Sequence, residues 1–217
     1  MAKTSTATEG AGRSPAVGGA RRLFFAWAAT FLAFPPSGLI AHALLGPVDG
    51  LGPALGGGLI AGLGIGAAQW LVLRRRLPGA ALWIPATGLG LAVGLAAGSS
   101  LVGYDTELTD LVLQGALSGL GVGALQALVL RREVRGAPVW MVASAALWAL
   151  GWTVTTLAGI DVERQYMAFG ASGALVYSLC SGALLARLLG AQSGGIRRYG
   201  SAKVTICSKA GAATSPP

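Results

Sequence analysis

Two stretches of the chain, residues 58–83 and 115–140, carry nearly the same sequence fifty-seven positions apart. Each consists of an apolar segment, a run of arginines and the start of a second apolar segment. Because an apolar segment of about 20 residues crosses a membrane as a helix, a repeated one that stops at arginines predicts a membrane bundle built from a duplicated unit. The repeat constrains the fold strongly and indicates no particular chemistry.

The composition excludes a soluble domain. Hydrophobic residues make up 53% of the 217 positions and charged residues 11%, whereas soluble domains carry about 25% charged residues. The net charge of +8 does not indicate a nucleic-acid partner, since the basic residues cluster in short gaps between apolar segments, as in cytoplasmic loops. The expected partner is the lipid bilayer. Cys180 and Cys207 lack metal-ligand spacing, so no disulfide, metal or cofactor is expected.

The predicted fold class is all-α, an integral membrane bundle of six helices built from three helical hairpins. Segments 1–20 and 191–217 are expected to be disordered cytoplasmic tails, the second of them basic. Pro35 and Pro36 should kink or break the first span, because each proline removes a backbone donor. The six predicted spans cover residues 23–46, 51–73, 81–104, 108–130, 139–160 and 166–189.

The distribution of charge predicts that both termini lie in the cytoplasm of a bacterial cell, with the spans in the inner membrane. If the N-terminus is inside, Arg164 is the single basic residue, of 16, on the outer side. This excess of basic residues in cytoplasmic loops is the established determinant of orientation. The acidic residues except Glu9 and Glu133 then lie outside or at the outer rim. A competing interpretation takes Arg21, Arg22 and the apolar residues after them as a cleaved signal peptide, which five further spans disfavour.

The last hairpin keeps only a trace of the repeat. Residues 182–189 align with residues 123–130, and this alignment places Leu185 where Gln126 stands. Successive hairpins share one orientation, so any symmetry axis should run along the membrane normal, unlike the in-plane axis of inverted-repeat transporters.

Glycines recur at every fourth position on three of the spans. This spacing makes a flat stripe along one face of a helix, where two backbones can approach closely in lipid. The alternative is a pore or ligand groove floored by backbone. The predicted packing stripes are Gly58, Gly62 and Gly66; Gly90, Gly94 and Gly98; and Gly115, Gly119 and Gly123.

Two glutamines, Gln69 and Gln126, stand five positions before the arginines, which is roughly 7 Å inside the hydrocarbon boundary. They should face the bundle interior, where they either bond each other or a carbonyl, or line a solute path. Gln114 and Asp110 on the fourth span and His42 on the first are further candidates for interior polar groups. For Asp110 the alternatives are a stabilised helix N-terminus and a vestibule that binds a cation or proton.

The segment 170–174 resembles the Gly-x-Ser-Gly serine segment of rhomboid intramembrane proteases. A nucleophilic serine needs a base to take its proton, and no histidine follows Ser172 in this chain. We therefore expect a helix contact here and no enzymatic activity, with a rhomboid-like serine protease as a remote alternative.

The sequences QWLVLRR and QALVLRR, each after a glycine-rich run, resemble a group of small bacterial multi-pass membrane proteins of unassigned function. The resemblance implies an integral membrane protein and brings no activity with it. The expected function is a non-enzymatic role in helix packing, as a complex subunit or a homo-oligomer. The alternative is a transporter of small solutes or ions, or the substrate-binding subunit of an uptake system. The arginines expected to anchor the cytoplasmic side are Arg74, Arg75, Arg76, Arg131, Arg132 and Arg135.

Overall fold

A computed structural model describes residues 15–134 and 136–211, with side chains for residues 18–134 and 136–191. Within these residues all regular secondary structure is helical, and there are no strands. Six segments are long and apolar enough to cross a membrane, which agrees with the predicted all-α class and with the predicted number of spans. The helices are α1 (Pro15–Ala28), α2 (Phe34–Leu45), α3 (Leu51–Leu73), α4 (Trp83–Leu101), α5 (Leu108–Leu130), α6 (Ala137–Leu157) and α7 (Ala171–Gly211).

The first span is broken where its two prolines require it. Pro35 and Pro36 occupy the first turn of α2, where the missing N–H groups cost nothing to that helix. The five residues before α2, Ala29–Ala33, form a 3-10 helix that joins it to α1. The span therefore crosses the bundle as two α-helical pieces.

The last span begins later than the sequence predicts. Residues 158–170, which include the first five residues of the predicted span, form an irregular loop, and α7 starts at Ala171. Met167, Ala168 and Phe169 make the loop apolar, and their side chains are 0%, 5% and 1% exposed. Hydropathy alone predicts that such a loop is part of a span, because it measures how apolar the side chains are and carries no information on backbone conformation.

The tails also differ from the prediction over the described residues. α1 already begins at Pro15, inside the segment predicted to be disordered. α7 continues as a helix to Gly211, through most of the predicted C-terminal tail. Residues 1–14 and 212–217 and the anchor Arg135 lie outside the described residues.

The spans form a ring in which each packs against the next along the chain, and α7 packs against α1 to close it. Glycines determine how closely the backbones of neighbouring helices approach each other. A Cβ on Gly62 would lie 2.7 Å from the Thr87 carbonyl oxygen of α4, and one on Gly94 would lie 2.6 Å from the Leu117 carbonyl oxygen of α5. The backbones of neighbouring helices therefore touch at these positions, where any side chain would collide with the facing helix.

The stripe on α5 faces α6 as the stripe on α3 faces α4. A Cβ on Gly66 would lie 3.1 Å from the Cα of Ile84, and one on Gly123 would lie 3.0 Å from the Cα of Met141, the equivalent residue fifty-seven positions later. The duplication of sequence is thus a duplication of packing. The remaining stripe glycines also lie at helix contacts, namely Gly58, Gly90, Gly98, Gly115 and Gly119.

Candidate functional site

The structure brings Gln69 of α3 and Gln126 of α5 together at the centre of the ring. Gln126 Nε2 donates to Gln69 Oε1 over 3.3 Å and to Thr87 Oγ1 of α4 over 2.9 Å. All three side chains are buried: Gln69 is 1% exposed, and Gln126 and Thr87 are 0% exposed. We call this set, together with Trp83 and Trp140, the polar network.

Each glutamine also accepts a hydrogen bond from a tryptophan fourteen positions later. Trp83 Nε1 donates to Gln69 Oε1 over 2.8 Å, and Trp140 Nε1 donates to Gln126 Oε1 over 2.9 Å. The chain turns back between the two partners, at the arginines, so the start of the next helix returns to the depth of the glutamine. The repeat therefore encodes a glutamine–tryptophan pair on each of two neighbouring helix pairs, α3 with α4 and α5 with α6.

A third pair of the same kind joins the two ends of the chain. Trp27 Nε1 of α1 donates to Ser181 Oγ of α7 over 2.9 Å. The sequence alignment placed Leu185 at the position of the glutamine; the structure packs Leu185 into the apolar core and gives the acceptor role to Ser181. The sequence analysis did not identify this third pair, because its donor lies in the first span and its acceptor in the last.

The three tryptophans of these pairs meet at the ring axis. The ring centroids of Trp27, Trp83 and Trp140 are 5.9 Å apart in all three combinations, and the interplanar angles lie between 61° and 83°. Edge-to-face contacts of this kind are the arrangement that aromatic pairs prefer. All three side chains are 0–1% exposed, so the indoles close the ring axis at the arginine-bearing end.

The sequence held a signal for the third copy. Thr30, Thr87 and Ser144 stand exactly one repeat length apart, at intervals of fifty-seven, and all three are buried. Thr30 Oγ1 donates to the Trp27 carbonyl and Thr87 Oγ1 donates to the Trp83 carbonyl. The equal spacing of these polar residues inside apolar spans therefore indicates that the first span belongs to the third repeat.

The other predicted polar residues lie outside this network. Gln114 is buried and borders a void of about 10 Å³ beside Tyr104, Gln165 and Tyr166. Asp110 is half-buried in the first turn of α5. His42 is half-buried, and its ring centroid lies 4.8 Å from that of Tyr166.

Ser172 has no catalytic surroundings among the described residues. Its Oγ is buried and without a hydrogen-bond partner there. His42 is the single histidine of the sequence and contacts Tyr166 on the loop before α7. The described residues also contain no cluster of three or more histidine, cysteine, aspartate or glutamate side chains that could hold a metal ion.

A cavity of about 220 Å³ lies at the opposite end of the bundle from the arginines. Phe34 and Gly38 of α2, Trp152 and Thr155 of α6 and the loop 158–170 form its walls. Thr155 is 1% exposed, and its Oγ1 has no partner among the described residues. Because residues 166–170 of this loop were predicted to begin the last span, nothing in the sequence indicated this cavity.

Polar contacts hold the central part of the loop, residues 161–165. Val48 N donates to the Gln165 carbonyl over 3.0 Å, and Gln165 Nε2 donates to the Tyr104 carbonyl over 2.6 Å. Arg164 forms an exposed ion pair with Asp161 over 2.9 Å. Hydrogen bonding to Tyr166 and then to Asp161 raises the pKa of Arg164 above its ordinary value, so this residue stays charged.

Aromatic contacts of Phe169 hold the C-terminal end of the loop. The Phe169 ring stacks on Phe34 with centroids 5.3 Å apart and meets Trp148 edge to face at 4.8 Å. Non-helical backbone at membrane depth is tolerated where it is buried in protein or lines a cavity, and this loop does both.

Comparison with protein-family models, with curated proteins and with solved structures finds no match for this chain.

Proposed function

We propose that the protein is a non-enzymatic, multi-pass protein of the bacterial inner membrane that acts by association, as a complex subunit or a homo-oligomer. In this proposal the arginine-bearing end of the ring and both termini face the cytoplasm, and three hairpins with one orientation build the bundle. The positive charge at one end of the spans and the acidic loops at the other support this orientation.

The observation that carries the proposal is the occupied axis of the ring. A path for ions or small solutes through the bundle would need water-accessible polar groups along the axis. Instead, Gln69 and Gln126 are 1% and 0% exposed, both accept indole N–H groups, and the three indoles lie beside them. The polar atoms of this region bind each other, so they stabilise the ring and offer no coordination to a passing solute.

The experiment has two arms. Proteoliposomes that contain the purified chain should conduct K⁺ and H⁺ no faster than protein-free liposomes. Native mass spectrometry of the chain, extracted in mild detergent, should show a complex of fixed stoichiometry. Flux that disappears in a Gln69→Leu variant would assign the polar network to a solute path and end the proposal, and so would a chain that is monomeric and without partners.

The cavity favours a second candidate, the substrate-binding subunit of an uptake system. A cavity of 150 Å³ is large enough for benzene, so about 220 Å³ accommodates an aromatic or aliphatic ring with a short substituent. Of the residues that line the cavity, Ala171 has an N–H group that precedes the first hydrogen bond of α7, from Ala174 N to the Gly170 carbonyl. A neutral, mostly apolar ligand with one hydrogen-bond acceptor fits this lining.

Acetophenone, a ring with one carbonyl, is the probe for this candidate. A ligand that binds the folded state raises its resistance to unfolding in proportion to the logarithm of its concentration. Gly38→Leu should abolish this effect, since a Cβ on Gly38 would still lie 4.0 Å from Ala168 and the longer side chain would extend into the cavity. Gly52→Leu, at a position with open space around it, is the control. Equal stabilisation of the two variants would refute the cavity as the site.

A further inference from the structure

Two grooves at the arginine-bearing end of the bundle share one architecture. The first basic groove, of about 490 Å³, lies between α1 and the end of α3 and is lined by Arg22, Ala26, Leu71, Val72, Arg75 and Arg76. The second basic groove, of about 260 Å³, lies between the start of α4 and the end of α5 and is lined by Gly79, Leu82, Leu128, Val129, Arg131 and Arg132, with Pro78.

The grooves are copies of each other. Leu71, Val72 and Arg75 line the first, and the residues fifty-seven positions later, Leu128, Val129 and Arg132, line the second. Gly79 of the second groove stands fifty-seven positions after Arg22 of the first. The duplication has therefore produced the same surface twice, with an additional arginine in the first groove.

Within the described residues the groove arginines form no ion pair, although Glu133 follows Arg132 at the position equivalent to Arg76. Across residues 18–134 and 136–191, Arg164 with Asp161 is the ion pair, and it lies on the loop 158–170 near the other end. The groove arginines are exposed, and Arg76 donates only to the Gly19 carbonyl over 3.3 Å. A concentration of guanidinium groups beside apolar surface is suited to a phosphate oxyanion, which arginine binds through paired N–H donors.

The floor of each groove identifies the source of the phosphate. Leu71 is 55% exposed, and Leu128 and Leu82 are 49% and 50% exposed, on spans that face lipid. A free phosphate ion gains nothing from such a surface, whereas an acyl chain packs along it. Basic pockets between transmembrane helices bind anionic lipid headgroups on this basis. We infer that the two basic grooves bind two anionic phospholipids per chain, with the phosphates on the arginines and acyl chains on the leucines.

The test counts lipids on the delipidated full-length chain in neutral detergent. Native mass spectrometry is recorded while phosphatidylglycerol or phosphatidylcholine is added. Two phosphatidylglycerol molecules should bind with higher affinity than any further ones. The lipid in the first basic groove should bind more tightly than the lipid in the second, because Arg22 adds a third arginine to the first groove. Binding of phosphatidylcholine to the same extent would overturn the inference without recourse to any variant.

Paired substitutions then locate the two sites. Each arginine near an anionic lipid contributes about fivefold to affinity, so Arg75→Gln with Arg76→Gln should weaken one of the two lipids about thirtyfold. Arg131→Gln with Arg132→Gln should weaken the other. The control is Arg21→Gln with Arg74→Gln. This variant loses the same number of positive charges at the same end of the bundle, but neither residue lines a groove.

The control arginines have a different environment. The Arg21 and Arg74 guanidinium groups each lie 5.6 Å from an aromatic ring centroid, over Phe25 and Trp70. The control variant should therefore keep both lipids. Equal loss in the control would show diffuse attraction to the basic end, and displacement of phosphatidylglycerol by millimolar inorganic phosphate would show a site for a soluble anion. Either result would overturn the inference.

Discussion

Replacement of Gln69 by leucine tests how the polar network holds the ring together. Gln69 Oε1 accepts from Trp83 Nε1 over 2.8 Å and from Gln126 Nε2 over 3.3 Å. Leucine keeps most of the volume and removes the acceptor. The Trp83 N–H then has no partner in a position that is 0% exposed, whereas Gln126 keeps its bonds to Thr87 and Trp140.

The magnitude follows from which groups lose their partners. A buried donor without an acceptor costs about 1–3 kcal/mol, so Gln69→Leu should lower the free energy of unfolding by an amount in this range. Gln126→Leu should cost about the same, because it leaves a different indole, Trp140, without its acceptor. If the two glutamines bonded only each other, which was one of the arrangements expected from the sequence, the second substitution would add little. The structure predicts nearly additive losses instead, since each glutamine serves its own tryptophan.

Two double-mutant cycles distinguish these expectations. Interhelical hydrogen bonds in membranes couple by about 0.6 kcal/mol on average and by up to about 1.7 kcal/mol. The longer bond between the glutamines should lie near the average, and the cycle of Gln69→Leu with Trp83→Phe should lie near the upper value. The assay is unfolding in mixed micelles by added sodium dodecyl sulfate, with Gln114→Leu as a control outside the network. A larger coupling between the two glutamines than between Gln69 and Trp83 would refute this reasoning.

Three further predictions use single substitutions. Cysteines placed near Arg76 and near Asp105 should react with impermeant reagents from opposite sides of the membrane, and labelling of both from outside intact cells would contradict the proposed orientation. Gly62→Leu should destabilise the bundle by about 1–3 kcal/mol in micelle unfolding, because a side chain there meets the α4 backbone, whereas Gly52→Leu on the same helix should be nearly neutral. Phe169→Ala should cost about 3–5 kcal/mol through loss of its aromatic contacts, and an unchanged unfolding midpoint would show that the loop does not hold the ring.

The sequence predicted the parts of the fold that depend on local composition. Apolar length located the six spans, and the arginines located the ends of α3 and α5, which match the structure at Leu73 and Leu130. The glycine spacing named positions where helix backbones meet, such as Gly62 and Gly94. Each of these signals is carried within one helix, so that no knowledge of its neighbours was needed.

The features that were missed depend on contacts between distant segments. Phe169 counted as part of a span because hydropathy registers an apolar residue equally in a helix or in a buried loop. Trp27 was overlooked because its partner, Ser181, lies 154 positions away, and the interval from Trp27 to Trp83 is one residue shorter than the repeat. The pairing of the glutamines was among the expected arrangements, but their indole donors became apparent only when the turns at the arginines had brought successive helices together.

Closure of the ring through α7 and α1 has a consequence for the order of folding. The pairs α3 with α4 and α5 with α6 join neighbours in sequence, so their hydrogen bonds close loops of fourteen residues as soon as those helices have entered the membrane. The bond between Trp27 and Ser181 joins residues 154 positions apart in a chain of 217 residues. Contacts of such high sequence separation form late, because the entropy of loop closure must be overcome before they contribute stability. During synthesis α1 therefore remains without its partner until α7 has been made, and the contact between these two helices completes the ring.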